Sequence, residues 1–187
     1  MRRALAILCL LLAGPVQGQD AELPARTQAL LLLRVLGYDR GLARQAGDLV
    51  VVAVAWRTGD ESRRDEALDA LREAAAQFRV AGKPVRAVPI RWEAAGFAER
   101  LRGSGASAVL VVGGLAGQAA ELARPLQEAR LLSATTSRAA VESGLAIGLL
   151  VRGARAGVLV NVAAARAAGA DLDATLFTVA EALDGVR

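Results

Sequence analysis

Residues 141–183 read VESGLAIGLLVRGARAGVLVNVAAARAAGADLDATLFTVAEAL. Two apolar runs, Leu145–Val151 and Ala156–Val162, flank the short polar turn Arg152-Gly153-Ala154-Arg155. Apolar runs joined by a glycine-bearing turn predict an antiparallel hairpin. Asn161 closes the second run, and Ala163–Ala168 is a strong helix former that Gly169 stops, because glycine takes the left-handed conformation past a helix end at little cost. A second, amphipathic helix is expected from Asp173, whose carboxylate would cap it and favour the positive end of its dipole.

Upstream of the hairpin, apolar strands alternate with helical stretches. Thr27–Leu36 reads as a first helix, with Thr27 as its N-cap and a Leu30-Leu31-Leu32-Leu33 run that must be buried or paired. Leu49–Ala55 is a continuous apolar strand, the kind buried on both faces of a parallel sheet. Ser62 and Asp65 have the spacing of a capping box and lead a long helix to about Arg79, with Leu68, Leu71, Ala75 and Phe78 as its core stripe. Pro84–Trp92 reads as an edge strand because proline cannot donate to the ladder. Glu93–Arg102 reads as a short helix, Ala108–Val112 as a strand followed by Gly113-Gly114 and then a helix through Ala123, and Arg130–Ala134 as a fourth strand. The fold class that follows is α/β: a single domain with a mostly parallel sheet, helices on its faces and a C-terminal antiparallel hairpin.

The N-terminus carries its own signal. Met1-Arg2-Arg3 is a short positive region, Ala4–Ala13 is mostly apolar, and Val16-Gln17-Gly18 offers small residues for signal peptidase. Residues 1–18 therefore read as a cleaved signal peptide, too short in its apolar part for the roughly 20 residues that span a bilayer. Removing 18 from 187 leaves 169 residues, 19–187, the size of one domain. It also removes Cys9, the only cysteine, so the exported chain would hold no disulfide.

Composition excludes several function classes. Without Arg2 and Arg3 the formal charge falls from +4 to +2, and basic residues are dispersed, with no run longer than Arg63-Arg64. A nucleic-acid face would cluster arginine and lysine to neutralise phosphates. Histidine is absent, which rules out Ser-His-Asp and Cys-His nucleophiles and imidazole metal sites. The lone Lys83 has no nearby serine, and Asp171 with Asp173, the tightest acidic pair of the C-terminal region, is better explained by helix capping. Gly113-Gly114-Leu115-Ala116-Gly117 follows a strand but lacks the G-x-G-x-x-G spacing of a dinucleotide loop, so a tight turn is the expectation. No cofactor and no catalytic residue is expected.

The order of a Gly-Leu-Ala-Ile-Gly opening, a strand ending in asparagine, an Ala-Ala-Arg-Ala-Ala-Gly helix and a leucine-bearing final helix resembles the C-terminal signature of the YfiR family, small periplasmic regulators. Gly144, Gly148, Gly153, Asn161, Ala165, Arg166, Leu172 and Leu176 carry the likeness, and Tyr38-Asp39-Arg40-Gly41-Leu42 adds to it upstream. The resemblance implies a non-enzymatic periplasmic protein, often a homodimer, that binds the outer part of an inner-membrane signalling protein. In the best-known arrangement that partner is a diguanylate cyclase held inactive, and a sensor kinase is another candidate. Gly144, Asn161 and Arg166 are the candidate partner-binding or family-motif residues. Asn161 would otherwise cap the following helix, and Arg166 would otherwise pair with a carboxylate such as Asp171. The apolar first helix fits a dimer seam, a partner groove or a core helix. From the open-sheet pattern comes a different reading: a small-ligand-binding protein related to one lobe of periplasmic solute-binding proteins, with its crevice near Trp56, Thr58 and Gly113.

Overall fold

The computed structural model describes residues 22–183. The signal-peptide reading of residues 1–18, Cys9 included, lies outside them. Among the described residues no helix is long and apolar enough to cross a membrane.

A seven-stranded sheet organises the domain. Its strands are β1 (Val50–Trp56), β2 (Val85–Arg91), β3 (Ala108–Val111), β4 (Leu132–Thr135), β5 (Ile147–Arg152), β6 (Arg155–Asn161) and β7 (Ala180–Leu183). They lie in the order β2-β1-β3-β4-β5-β6-β7, and every neighbouring pair is parallel except β5 with β6. Helices α1 (Ala25–Gly37), α2 (Arg40–Gln45), α3 (Glu61–Gln77), α4 (Phe97–Gly103), α5 (Ala119–Glu128), α6 (Arg138–Glu142) and α7 (Val162–Ala167) connect them. The fold class expected from the sequence is the one observed.

Strand β1 shows why the sheet must be covered twice. Val50, Val52 and Val54 join a core with α1 and α3, while Ala53 and Ala55 join a second core with Phe97 and Leu101 of α4 and Leu122 and Leu126 of α5. Side chains alternate across a strand, so an unbroken apolar run feeds both layers. Phe97 meets Trp92 edge to face, with ring centroids 4.6 Å apart. Strand β2 is the outer strand that its prolines implied, with Pro89 opposite Val54.

The hairpin folds as read. Arg152 pairs with Arg155 across a two-residue turn in which Gly153 has φ +58, and two-residue hairpin turns need such values. Because β6 runs back against β5, Val160 stands opposite Ile147. Asn161 therefore lies at the amino ends of the parallel strands, away from their carboxyl ends.

Several boundaries depart from the sequence reading. Helix α1 begins at Ala25 after Pro24, not at Thr27, and has no side-chain cap; Gln28 ties the chain ahead of the helix by donating from Nε2 to the Leu23 carbonyl at 2.6 Å. The Ser62–Asp65 capping box does not form. Helix α3 starts two residues earlier, with Asp60 instead of Ser62 at its N-cap position; the Glu61 carboxylate accepts from the Gly59 amide, and Asp65 pairs with Arg64. Ala74 rather than Ala75 is buried beside Leu68 and Leu71, and the chain is already extended at Phe78. Gly96, at φ +75, delays α4 to Phe97. Helix α5 continues through Pro125 to Glu128, and Arg130 at φ +56 turns the chain before β4. Two short helices, α2 and α6, were not foreseen. Their caps are Asp39, which accepts from the Gly41 amide, and Ser137, which accepts from the Ala140 amide.

The largest correction concerns the C-terminus. In place of a helix from Asp173, a single 3-10 turn spans Ala174–Thr178 and the chain then extends as β7 beside β6. The open edge of β6 supplies backbone partners for an extended segment, and this tertiary ladder outweighs the weak helical propensity of a stretch holding Thr175, Thr178 and Val179.

Candidate functional site

The three residues singled out in the C-terminal motif lie on different structural duties. Gly144, at φ +112 after α6, is a position strained for any other residue, and a Cβ there would stand 3.0 Å from that of Ala123. Asn161 spends both ends of its amide inside the chain: Oδ1 accepts from the Ala164 amide at 3.0 Å and Nδ2 donates to the Val141 carbonyl at 2.9 Å. It therefore caps α7 and ties that helix to α6. Arg166 stands exposed on α7, beside a shallow depression with Phe177 and Leu172. The expected Arg166–Asp171 pair is not formed, since Arg44 takes the Asp171 carboxylate at 3.0 Å.

Asp171 and Asp173 act as anchors for α2. Arg40 donates to Asp173 at 2.5 Å, and Asp39, buried at the start of α2, accepts from the Asp171 amide at 2.9 Å. Asp173 caps the 3-10 turn that stands in place of the expected helix, accepting from both the amide and the hydroxyl of Thr175. The Thr175 amide, then its hydroxyl and the Arg40 guanidinium hold the Asp173 carboxyl below its ordinary value. A lowered value means that the contact stabilises the fold above the unfolded pKa of about 3.9 and is lost as the pH falls through the folded one. Following the Thr175 amide by NMR during acid titration should give a midpoint below about 3.9; a midpoint at or above it would reject the clamp.

A separate constellation sits beyond the carboxyl ends of β1, β3 and β4. The strand order reverses direction around β1, and such switch points in open α/β sheets leave a crevice. Here it is a cavity of about 480 Å³ lined by Glu22, Asp60, Arg63, Gly113, Ser137 and Arg138, among others. Of the residues that the sequence placed near it, Gly113 lines the cavity. Trp56 and Thr58 do not, and the Trp56 ring is covered by the Arg64 guanidinium at 4.4 Å.

The glycines of the crevice have a steric reason. At Gly113, with φ +62, a Cβ would fall 2.5 Å from the Asp60 Cγ, and at Gly114 it would overlap the Arg57 guanidinium. Removing both side chains lets Asp60 and Arg57 close over the turn, where Arg57 Nε lies 3.3 Å from Asp60 Oδ2. That oxygen is buried yet accepts no hydrogen bond. Sequence reasoning found the glycines but not Arg63 and Arg138, whose only signal was their place in the first turn of the helices that follow β1 and β4. Among the described residues no three acidic or sulfur side chains gather as a metal site would require.

Comparison with known families decides the relationship. A family model described as YfiR/HmsC-like matches residues 52–181, from within β1 to within β7. The chain belongs to that family. No curated protein matches it. Solved structures with the same fold include a conserved domain protein from Vibrio cholerae O1 biovar El Tor, 12% identical with a TM-score of 0.59, covering 87% of this chain and 60% of the other. They also include a domain from Streptococcus pneumoniae solved with L-Trp, at 13% identity and TM-score 0.57, covering 86% of this chain and 60% of that one. A ligand-free, open substrate-binding protein with adhesive properties from Clostridium difficile follows at 12% and 0.53, covering 73% and 55%. This YfiR/HmsC-like chain thus spans about 60% of the length of the first two, and at such identities the likeness is one of fold.

Proposed function

We propose that this YfiR/HmsC-like chain is an exported, non-enzymatic regulator that binds the periplasmic part of an inner-membrane signalling protein. In the arrangement the family implies, the partner is a diguanylate cyclase and binding lowers cyclic-di-GMP output. A homodimer belongs to the same reading. The observation that carries it is the family match across residues 52–181, which takes in nearly the whole sheet. The sequence supports it further by lacking histidine and by keeping its one cysteine in the apolar leader. Binding would act as a population shift: it favours the inactive partner only as far as it discriminates between the partner's two states.

Arg166 is the residue we assign to partner contact. It is exposed and its expected carboxylate is occupied by Arg44, whereas Asn161 is consumed within the fold. Arg166→Ala should leave the unfolding free energy within about 0.5 kcal/mol of wild type, as surface substitutions do, while weakening partner affinity about tenfold. Unchanged affinity in a folded variant would remove Arg166 from the interface.

The reading itself is tested by cross-linking the tagged chain in its native envelope and identifying what it captures. Capture of a membrane cyclase or sensor kinase through its periplasmic domain is the expected result. Absence of any membrane signalling protein, under conditions that cross-link a control regulator to its own partner, would overturn it.

A further inference from the structure

The crevice beyond β1, β3 and β4 already holds an acid, and it belongs to the chain. Glu22, just ahead of α1, reaches into the cavity, where Arg63 Nη1 lies 2.9 Å from its Oε2 and the Thr136 hydroxyl donates to its Oε1 at 3.4 Å. Thr136 is 114 residues away in sequence, so the contact is made by the fold and not by local chain geometry.

We propose that this crevice is a binding site for a small carboxylate that carries a neighbouring hydrogen-bond donor, an α-hydroxy or α-amino acid, and that Glu22 is its built-in competitor. Charge is the first argument. The ionisable side chains lining the cavity are Arg63 and Arg138 against Glu22 and Asp60. Withdrawal of Glu22 leaves two guanidiniums and one carboxylate, a net single positive charge that one external carboxylate neutralises. Arg138 also has Glu181 at 3.7 Å and Arg63 has Glu66 at 4.0 Å, contacts long enough to leave both guanidiniums able to donate elsewhere.

The second argument is the unused acceptor. Asp60 Oδ2 is buried without a hydrogen bond, and the Arg57 guanidinium beside it supplies charge but no aligned N–H. Buried polar atoms seldom stay unpaired. The half-exposed Arg57 side chain covers this one, and its displacement would let a hydroxyl or ammonium next to the ligand carboxylate donate to it. Room is the third. The open volume of about 480 Å³ is what remains with the Glu22 side chain in place, and Gly113 and Gly114 add no side chain to its lining. Release of Glu22 is cheap, because the Glu22–Arg63 pair is exposed on both sides and exposed pairs contribute little.

The inference goes beyond the regulator reading and does not require it. Its test uses the purified, isotope-labelled chain and no membrane partner, so failure here leaves that reading standing. Glycine and L-lactate are titrated as probes against propionate, which has the carboxylate without the donor, while the amides of Gly113, Gly114 and Thr136 are followed by NMR. Glycine or lactate should shift these amides saturably, and propionate should bind more weakly. Glu22→Gln should tighten binding about two- to fivefold, the range an exposed ion pair spans, and Arg63→Ala should weaken it about tenfold or more. Dispersed spectra confirm that each variant is folded. The proposal falls if the Glu22→Gln chain shows no saturable shift, if it binds no tighter than wild type, or if Arg63→Ala binds as wild type does.

Discussion

Asp39→Ala is expected to lower the free energy of unfolding by about 2–4 kcal/mol, since one buried carboxyl oxygen serves two backbone amides. Asp39 is 3% exposed, and its Oδ1 accepts from Gly41 at 2.8 Å and from Asp171 at 2.9 Å. Alanine would leave both donors without their acceptor, the Gly41 amide in a buried position and the Asp171 amide in a partly buried one. Nothing else can move in, because the approach is already tight: a Cβ at Gly41 would lie 3.0 Å from both Asp39 Oδ1 and the Gly169 carbonyl. The same residue bridges through its backbone to Leu172, so the loss would free the start of α2 from the segment that leads to β7. Urea denaturation of Asp39→Ala and Asp39→Asn measures it. Asparagine keeps an acceptor and should recover part of the loss, whereas a cost below about 1 kcal/mol for alanine would show that the junction is not held this way.

Leu32→Ala should cost about 2–5 kcal/mol, the range for emptying a closed apolar site. Leu32 is 1% exposed within the single chain and belongs to the core that α1 shares with α3 and β1. Leu31, its neighbour in the leucine run, is only partly buried, and its truncation should cost clearly less. Equal losses at the two positions, in a concentration-dependent melt, would instead assign the run to an interface between copies.

The comparison of sequence with structure divides along physical lines. The strands were legible because β1 and β3 are buried on both faces and so are written as unbroken apolar runs, and the hairpin because Gly153 marks its turn. The Asn161 cap was legible for the same local reason: an asparagine at a strand end three residues before a free amide. What failed were mainly features decided at a distance. Strand β7 exists because β6 offers an edge, and no periodicity in residues 173–183 announces that. One failure was local: Ser62 and Asp65 had the spacing of a cap, yet Glu61 reached Gly59 and Asp65 took Arg64. The crevice was only half visible. Gly113 could be read as a turn, but Glu22, Arg63 and Arg138 come from three distant segments and meet only when the sheet forms.

The reversal of β6 has a consequence for control. It turns one strand end around, so Asn161, α7 and exposed Arg166 sit at the amino ends of the parallel strands, while Glu22, Arg63 and Arg138 sit at the carboxyl ends. A small acid and a protein partner would then occupy opposite poles of one rigid sheet and compete for no atom. Whatever influence either exerts on the other has to pass through the shared strands as a coupling free energy, and it must be mutual: an acid that loosens the partner is itself loosened by the partner to the same factor.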